Sequence, residues 1–295
     1  MATTNHRSSL LDKNQFFRRL KEREPSGKQR QVANYIARNY RTVASHTAAE
    51  LAKAMGISEA TVVRFARELG YSGFRELKRQ LNQVIREDLT SVELLTRERT
   101  RTKGKVDTLA ETVERESMYL RGLAADIRRS DYRRLVKALV ESDRNYIVGH
   151  RASMPLAQFF GYTLAKVHKD TVTLTSSTSW AYDAFREIPP KSCMVAIGFA
   201  RYPRETLELM EFARSQGILV IAITDWLLSP LGKRADFSLV VRTEPVSFVD
   251  SHCAPQALIA SIMVDYGLTA SKRTESMLKR FERIVSMKSL FYVDP

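Results

Sequence analysis

Gly56 is the residue that most restricts what this chain can fold into. It stands in the run Ala49 to Arg67, AELAKAMGISEATVVRFAR, between apolar residues set at helical spacing. Leu51, Ala52 and Met55 supply one inner face, and Ile57, Val62 and Phe65 close it. The small Ala52 lets two helices cross at close range, and Gly56 takes the positive φ that a sharp helix end requires. Ser58 is placed to cap a second helix. That helix sets Val62, Phe65, Ala66 and Leu69 on its buried side and turns Glu59, Ala60, Thr61, Val63, Arg64 and Arg67 outward. The pattern is that of a helix-turn-helix whose second helix can enter a DNA major groove. A small helical bundle of another purpose would use the same Ala, Gly and Val spacing.

The charge distribution separates these two readings. Residues 1–105 hold 22 Lys and Arg against 11 Asp and Glu, whereas the remaining 190 hold 25 against 22. The basicity is local to the part that carries the helix-turn-helix, as expected of a surface that follows a phosphate backbone. The run Arg97, Arg99, Arg101, Lys103 and Lys105 also reads as a solvated linker.

At 295 residues the chain is long enough for two domains, and 44% hydrophobic with 27% charged residues is ordinary for a globular protein. The opening MATTNHRSSLLDKN lacks the apolar core of a signal peptide, and the apolar run from Gly217 to Thr224 is far too short to span a bilayer. A cytoplasmic location without membrane contact is expected. Cys193 and Cys253 stand 60 positions apart without a CxxC pattern, and His6, His46, His150, His168 and His252 form no HxH or HxxxH pair. Neither a disulfide framework nor a metal or other cofactor is expected, and both cysteines read as packing residues.

Between Lys28 and Tyr40, Val32, Ala33, Tyr35 and Ile36 repeat at helical spacing, with Asn39 as a stop signal. After the turn Gly70-Tyr71-Ser72-Gly73-Phe74, Leu77, Leu81 and Val84 mark a helix over Arg75 to Val84 that carries Lys78 and Arg79 outside. Residues 1–85 are thus read as an all-helical domain. Residues 86–130 read as a charged helical connector, with Val106, Leu109, Val113, Met118 and Leu120 along it, either solvated or paired with a second copy. Residues 131–295 change texture. The runs Tyr146 to Val148, Thr171 to Leu174, Cys193 to Ile197, Ile218 to Ile223 and Phe237 to Val241 alternate with helical segments. They imply a five-stranded parallel α/β sheet of flavodoxin-like class with helices on both faces. Such sheets bind ligands beyond the C-terminal ends of their strands. The loops there are Gly149 to Ser153, Ser176 to Ser179, Gly198 to Arg204, Thr224 to Ser229 and Glu244 to Ser251.

Two stretches carry a family resemblance. GISEATVVRFARELGYSGFRELK, Gly56 to Lys78, resembles the DNA-binding domain of RpiR-type bacterial transcriptional regulators, and AITDWLLSPLGKRAD, Ala222 to Asp236, is similar to the late part of the sugar-isomerase (SIS) domain that follows it in that family. The resemblance implies a homo-oligomeric repressor or activator, a dimer or tetramer, whose C-terminal domain senses a metabolite, often a sugar phosphate, and alters DNA binding.

The chain departs from that pattern where the ligand is concerned. Sugar-phosphate-binding members of the SIS fold carry Gly-x-Gly-x-Ser after the first strand; here Gly149-His150-Arg151-Ala152-Ser153 has Arg151 at the second glycine and keeps Ser153. They carry Ser-x-Ser-Gly-x-Thr after the third strand; here Gly198-Phe199-Ala200-Arg201-Tyr202-Pro203 loses all three hydroxyls. A guanidinium-rich rim remains in Arg151, Arg201 and Arg204, with Pro203 suited to a first helical position. Arginine holds phosphate or carboxylate through a planar fork, so an anionic effector fits, although the same arginines could form surface or dimer salt bridges. His150, Ser153, Ser247, Asp250 and Ser251 complete the candidate ligand set, with capping and turn roles as the alternative for the last three.

The expected function is a regulator of transcription that reads operator DNA, an inverted repeat, through two recognition helices. Arg64 would read bases, with Thr61 and Ala60 near base edges and Glu59 accepting from cytosine, while Ser58, Arg67, Ser72 and Lys78 would hold phosphates. A sugar-phosphate isomerase with an appended basic domain is the alternative, with Glu205 or His252 as its acid or base. An architectural binder of nucleic acid would need only the net charge.

Overall fold

The computed structural model describes residues 27–101, 107–176, 179–243 and 247–292. Val106, Lys103, Lys105 and the loop positions 177–178 and 244–246, all named above, lie outside the described residues. The chain divides into two compact units, residues 1–93 and 94–295.

The first unit is helical: α1 Lys28–Val43, α2 Ala48–Met55, α3 Glu59–Glu68 and α4 Phe74–Asp88, with α5 Ser91–Arg101 beginning at its end. Asn39 leaves helical geometry (φ −123°, ψ 22°) but does not stop α1, because its Nδ2 donates to the Tyr35 carbonyl at 3.0 Å and the helix resumes to Val43. Val32, Ile36, Leu51, Val62, Ala66, Leu77 and Leu81 form a core with almost no exposed surface. Thr47 and Glu50 make a reciprocal cap on α2, the Glu50 N–H donating to Thr47 Oγ1 at 3.2 Å and the Thr47 N–H to Glu50 Oε2 at 2.7 Å. The Thr47 hydroxyl also donates to Oε2, at 3.0 Å, and with the Thr47 N–H it holds the Glu50 carboxyl below the usual carboxylate range.

The second unit carries α6 Thr108–Asp126, α7 Arg129–Glu141, β1 Arg144–Val148, α8 Met154–Ala165, β2 Thr171–Leu174, α9 Trp180–Asp183, β3 Ser192–Ile197, α10 Arg204–Ser215, β4 Leu219–Thr224, β5 Phe237–Val240, α11 Cys253–Thr269 and α12 Ser271–Lys288. The five strands form one sheet in the order β2-β1-β3-β4-β5, every neighbouring pair parallel. Strand residues alternate between two cores, as the pleat requires. Ile147, Val195, Ile197, Ile221 and Ile223 pack under α7, α8 and α11, while Tyr146, Val148, Met194, Ala196 and Val220 pack under α10. The order reverses between β1 and β3, so the loops that follow these two strands leave for opposite sides and open a crevice between them.

α6 packs on α11 through Tyr119 and Leu123, whereas Leu109, Val113, Met118 and Leu120, the apolar line read along the connector, are exposed. No helix among the described residues is long and apolar enough to cross a membrane.

Candidate nucleic-acid interface and ligand site

The turn between α2 and α3 is built by Gly56, at φ +66° and ψ 33°. Its N–H donates to the Lys53 carbonyl at 3.3 Å, and the next N–H, of Ile57, reaches the Ala52 carbonyl at 3.0 Å. This paired closure satisfies the orphan carbonyls of α2 and needs the left-handed residue that glycine supplies. Ser58 caps α3 by accepting from the Thr61 N–H at 3.3 Å. Ser58, Glu59, Ala60, Arg64 and Arg67 are exposed along one side of α3 and its start.

Thr61 departs from expectation. It is buried at 7% exposure, its Oγ1 2.8 Å from Ser58 Oγ, because the cap draws the hydroxyl inward under the helix start. Ser72, beside the end of α3, and Lys78, on α4, are engaged within the chain. The N–H and hydroxyl of Ser72 donate to Glu76 Oε2 at 2.6 and 2.8 Å, and Lys78 Nζ donates to the Ser45 carbonyl at 3.1 Å. The Arg67 Nε leans to the Ser72 carbonyl at 3.5 Å. The exposed base-reading candidates are therefore Glu59, Ala60 and Arg64.

The other candidate site lies at the C-terminal rim of the sheet. His150 follows β1 and is buried, its Nε2 3.3 Å from the Ser176 carbonyl and its Nδ1 2.8 Å from Thr206 Oγ1. A carbonyl only accepts, so Nε2 carries the proton and the Thr206 hydroxyl donates to Nδ1. Burial lowers the pKa of this imidazole, which keeps it neutral. Both ring nitrogens thus fasten the β1 loop to the β2 loop and to α10. Arg151 is exposed and has φ +55°, the left-handed geometry of a glycine position held by an arginine. Ser153 is buried at the start of α8. After β3, Arg201 and Arg204 are exposed, and the Arg204 Nε pairs with Glu208 Oε1 at 2.7 Å. Pro203 stands at the cap of α10, one place before the first helical residue.

The β5–α11 loop supplies Ser247 (φ +62°), whose Oγ is buried without a hydrogen-bond partner among the described residues, together with the exposed Asp250. Ser251 is buried, and its hydroxyl donates to Glu116 Oε2 on α6 at 2.7 Å. The Arg242 Nε pairs with Asp126 Oδ2 at 3.0 Å, so α6 is fastened at two points to the segment between β5 and α11. Cys253 is exposed, contrary to its reading as a packing residue, while Cys193 is buried with its thiol pushed up to about 12. Sequence reasoning also missed Asp225, at the end of β4, which accepts from the Tyr202 hydroxyl at 2.7 Å and from the Ala200 N–H at 3.4 Å. Nothing local signals these partners, which stand 23 and 25 residues away. Among the described residues no group of three or more His, Cys, Asp or Glu could hold a metal ion.

Residues 19–88 match the helix-turn-helix domain of the rpiR family, and residues 138–264 match the SIS domain. The Vibrio vulnificus NanR protein, solved in complex with ManNAc-6P, is similar in structure: 21% identity and a TM-score of 0.61 over 94% of this chain and 100% of that one. The sugar isomerase domain of an RpiR transcription factor from Sphaerobacter thermophilus is 22% identical, with a TM-score of 0.57, over 59% of this chain and 97% of its own. At these identities the likeness is one of fold. The two matched domains stand in the order expected from the motifs, the first around the Gly56 turn and the second around the five-stranded sheet. The chain belongs to the RpiR-type transcriptional regulators, DNA-binding proteins with a helix-turn-helix domain ahead of a SIS domain.

Proposed function

We propose that this regulator binds an inverted-repeat operator as a cytoplasmic homodimer or homotetramer, and that a small anionic metabolite in the SIS domain, a sugar phosphate or a carboxylate, sets its affinity for DNA. In this reading residues 1–85 bind DNA, 86–130 connect, and 131–295 sense the ligand and oligomerise. The exposed side of α3, on which Glu59, Ala60 and Arg64 follow a Ser58-capped start, carries the proposal. A helix start with the small, exposed Ala60 fits a major groove, and Arg64 can bond a guanine edge while Ser58 and Arg67 hold phosphates. For the effector, Arg151 and Arg201 at the rim, and the complex of NanR with ManNAc-6P, support an anion.

The test is fluorescence anisotropy with the duplex upstream of the protein's own gene and with a random duplex. Arg64→Ala weakens the first by about 1–3 kcal/mol and relaxes preference at one base position. Equal loss on both duplexes refutes base reading by Arg64. Thermal melting with phosphorylated sugars and with carboxylic acids identifies the effector class, since a ligand selective for the folded state raises its stability. The helix-turn-helix domain points to a regulator rather than an enzyme. Glu205 and His252, the acid–base candidates, lie in separate neighbourhoods, the first acting on His150 and the second beside Asp250 and Glu116. Turnover of aldose and ketose phosphates, abolished by Glu205→Gln or His252→Ala, would restore the enzymatic reading.

A further inference from the structure

The loop from β3 to α10 ends at the start of a helix on the crevice side of a parallel sheet, a place where backbone and hydroxyl donors gather around a ligand's anionic group. Here an anion from the chain itself holds those donors. Asp225, in the adjacent loop, takes the Ala200 N–H on Oδ2 at 3.4 Å and the Tyr202 hydroxyl on Oδ1 at 2.7 Å; the Thr224 hydroxyl adds a third bond to Oδ1 at 3.3 Å. A carboxylate in a turn ordinarily bonds N–H groups of its own turn, two or three residues on. Asp225 instead reaches across to the neighbouring strand's loop.

Two further features remove donors from the same loop. An added Cβ at Gly198 would stand 2.7 Å from Leu231 Cδ2 and 3.0 Å from Cδ1, so a buried leucine fills the space where a side-chain hydroxyl at that position would start. Pro203, at the cap of α10, has no N–H to give.

We propose that Asp225 is a specificity-determining residue of the sensor: its carboxylate occupies the anion seat of the β3–α10 loop and refuses phosphate there, so that the effector's anionic group is taken by the arginine side of the rim. The proposal rests on the rim being the effector site and fixes which part of it meets the charge.

The test uses inorganic phosphate as the probe, with the full chain in phosphate-free buffer at constant ionic strength, followed by calorimetric titration. Asp225→Asn keeps an acceptor for Tyr202 and removes the charge; it binds phosphate at least tenfold more tightly than the unaltered protein. Tyr202→Phe removes a hydrogen bond but leaves the charge, and gains nothing. If the Asn variant does not fold, Asp225→Ser, smaller and neutral, replaces it. Equal affinity in the unaltered and neutral variants overturns the proposal. So does absence of phosphate binding in a folded neutral variant, or a gain in Tyr202→Phe equal to that in Asp225→Asn. Neither DNA nor a metabolite enters this measurement. A failure of the effector reading, in which no metabolite changes DNA affinity, is therefore scored separately.

Discussion

Replacing Gly56 by alanine isolates the conformational demand of the helix-turn-helix from everything else. The backbone there has φ +66°, and a Cβ placed on it meets nothing within 4 Å, so alanine adds strain without a clash. An L-residue in the left-handed region costs about 1–2 kcal/mol. Alanine also narrows the unfolded ensemble, which offsets roughly 0.4–1 kcal/mol. The net loss is about 1 kcal/mol, close to a fivefold rise in opening. Hydrogen exchange by mass spectrometry on the full chain reads this locally, as faster exchange of the α2 and α3 amides with β1 to β4 unchanged. Gly73 supplies the control. Its φ of 170° is extended backbone open to any residue, and a Cβ there also meets nothing within 4 Å, so Gly73→Ala leaves exchange near the original rate. Gly56→Asn falls between, since asparagine tolerates the left-handed region. The reasoning fails if Gly73→Ala is as harmful as Gly56→Ala, or if Gly56→Ala exchanges within twofold of the unaltered protein.

Other perturbations have equally defined outcomes. Ser58→Ala removes the α3 cap and strips the buried Thr61 hydroxyl of a partner, costing about 1–2 kcal/mol in the same exchange measurement, whereas a change below about 0.3 kcal/mol would deny the cap its role. Burial lowers the pKa of His150 and of His252, so below pH about 6.5 the unfolded chain binds more protons than the folded one. The sensor unit accordingly melts at a lower temperature at pH 5.5 than at pH 7.5, and His150→Asn shows a shallower dependence; a flat profile contradicts the burial argument. Thiol labelling of the folded protein modifies the exposed Cys253, while the buried Cys193 reacts only on unfolding; early labelling of Cys193 would mean that the sheet opens on its own.

The parts of this fold legible in the sequence are those fixed by short-range chemistry. All five strands fall within a residue or two of the runs read for them; the central β3 and β4, buried on both faces, are almost continuously apolar, while the part-buried edge strand β2 is marked by its β-branched Thr171, Val172 and Thr173. Gly56 and Ser58 act as read. The Thr47–Glu50 and Thr90–Glu93 pairs carried an equally local signal, a hydroxyl followed three residues later by a glutamate, and were overlooked. Thr61 was misread because helical spacing alone places it outward, and only the cap geometry pulls it in. The buried face of α6 could not be read for a different reason. Apolar residues lie around much of that helix, and α11, more than a hundred residues later, selects Tyr119 and Leu123. His150 and Asp225 owe their roles to Thr206 and to Tyr202, contacts made only once separate loops are brought to one rim.

The contact between Gly198 and Leu231 also bears on how such a sensor changes over generations. A serine at 198 forces the Leu231 side chain to shift, since its first carbon falls 2.7 Å from a leucine methyl. A smaller residue at 231 arriving first leaves a void in a fully buried place, a change that costs about 2–5 kcal/mol for leucine to alanine. Each substitution alone therefore carries a cost, strain on Leu231 in one order and a void in the other, and the two changes are coupled. The core beneath the loop, as well as the loop itself, sets which side chains this rim can carry.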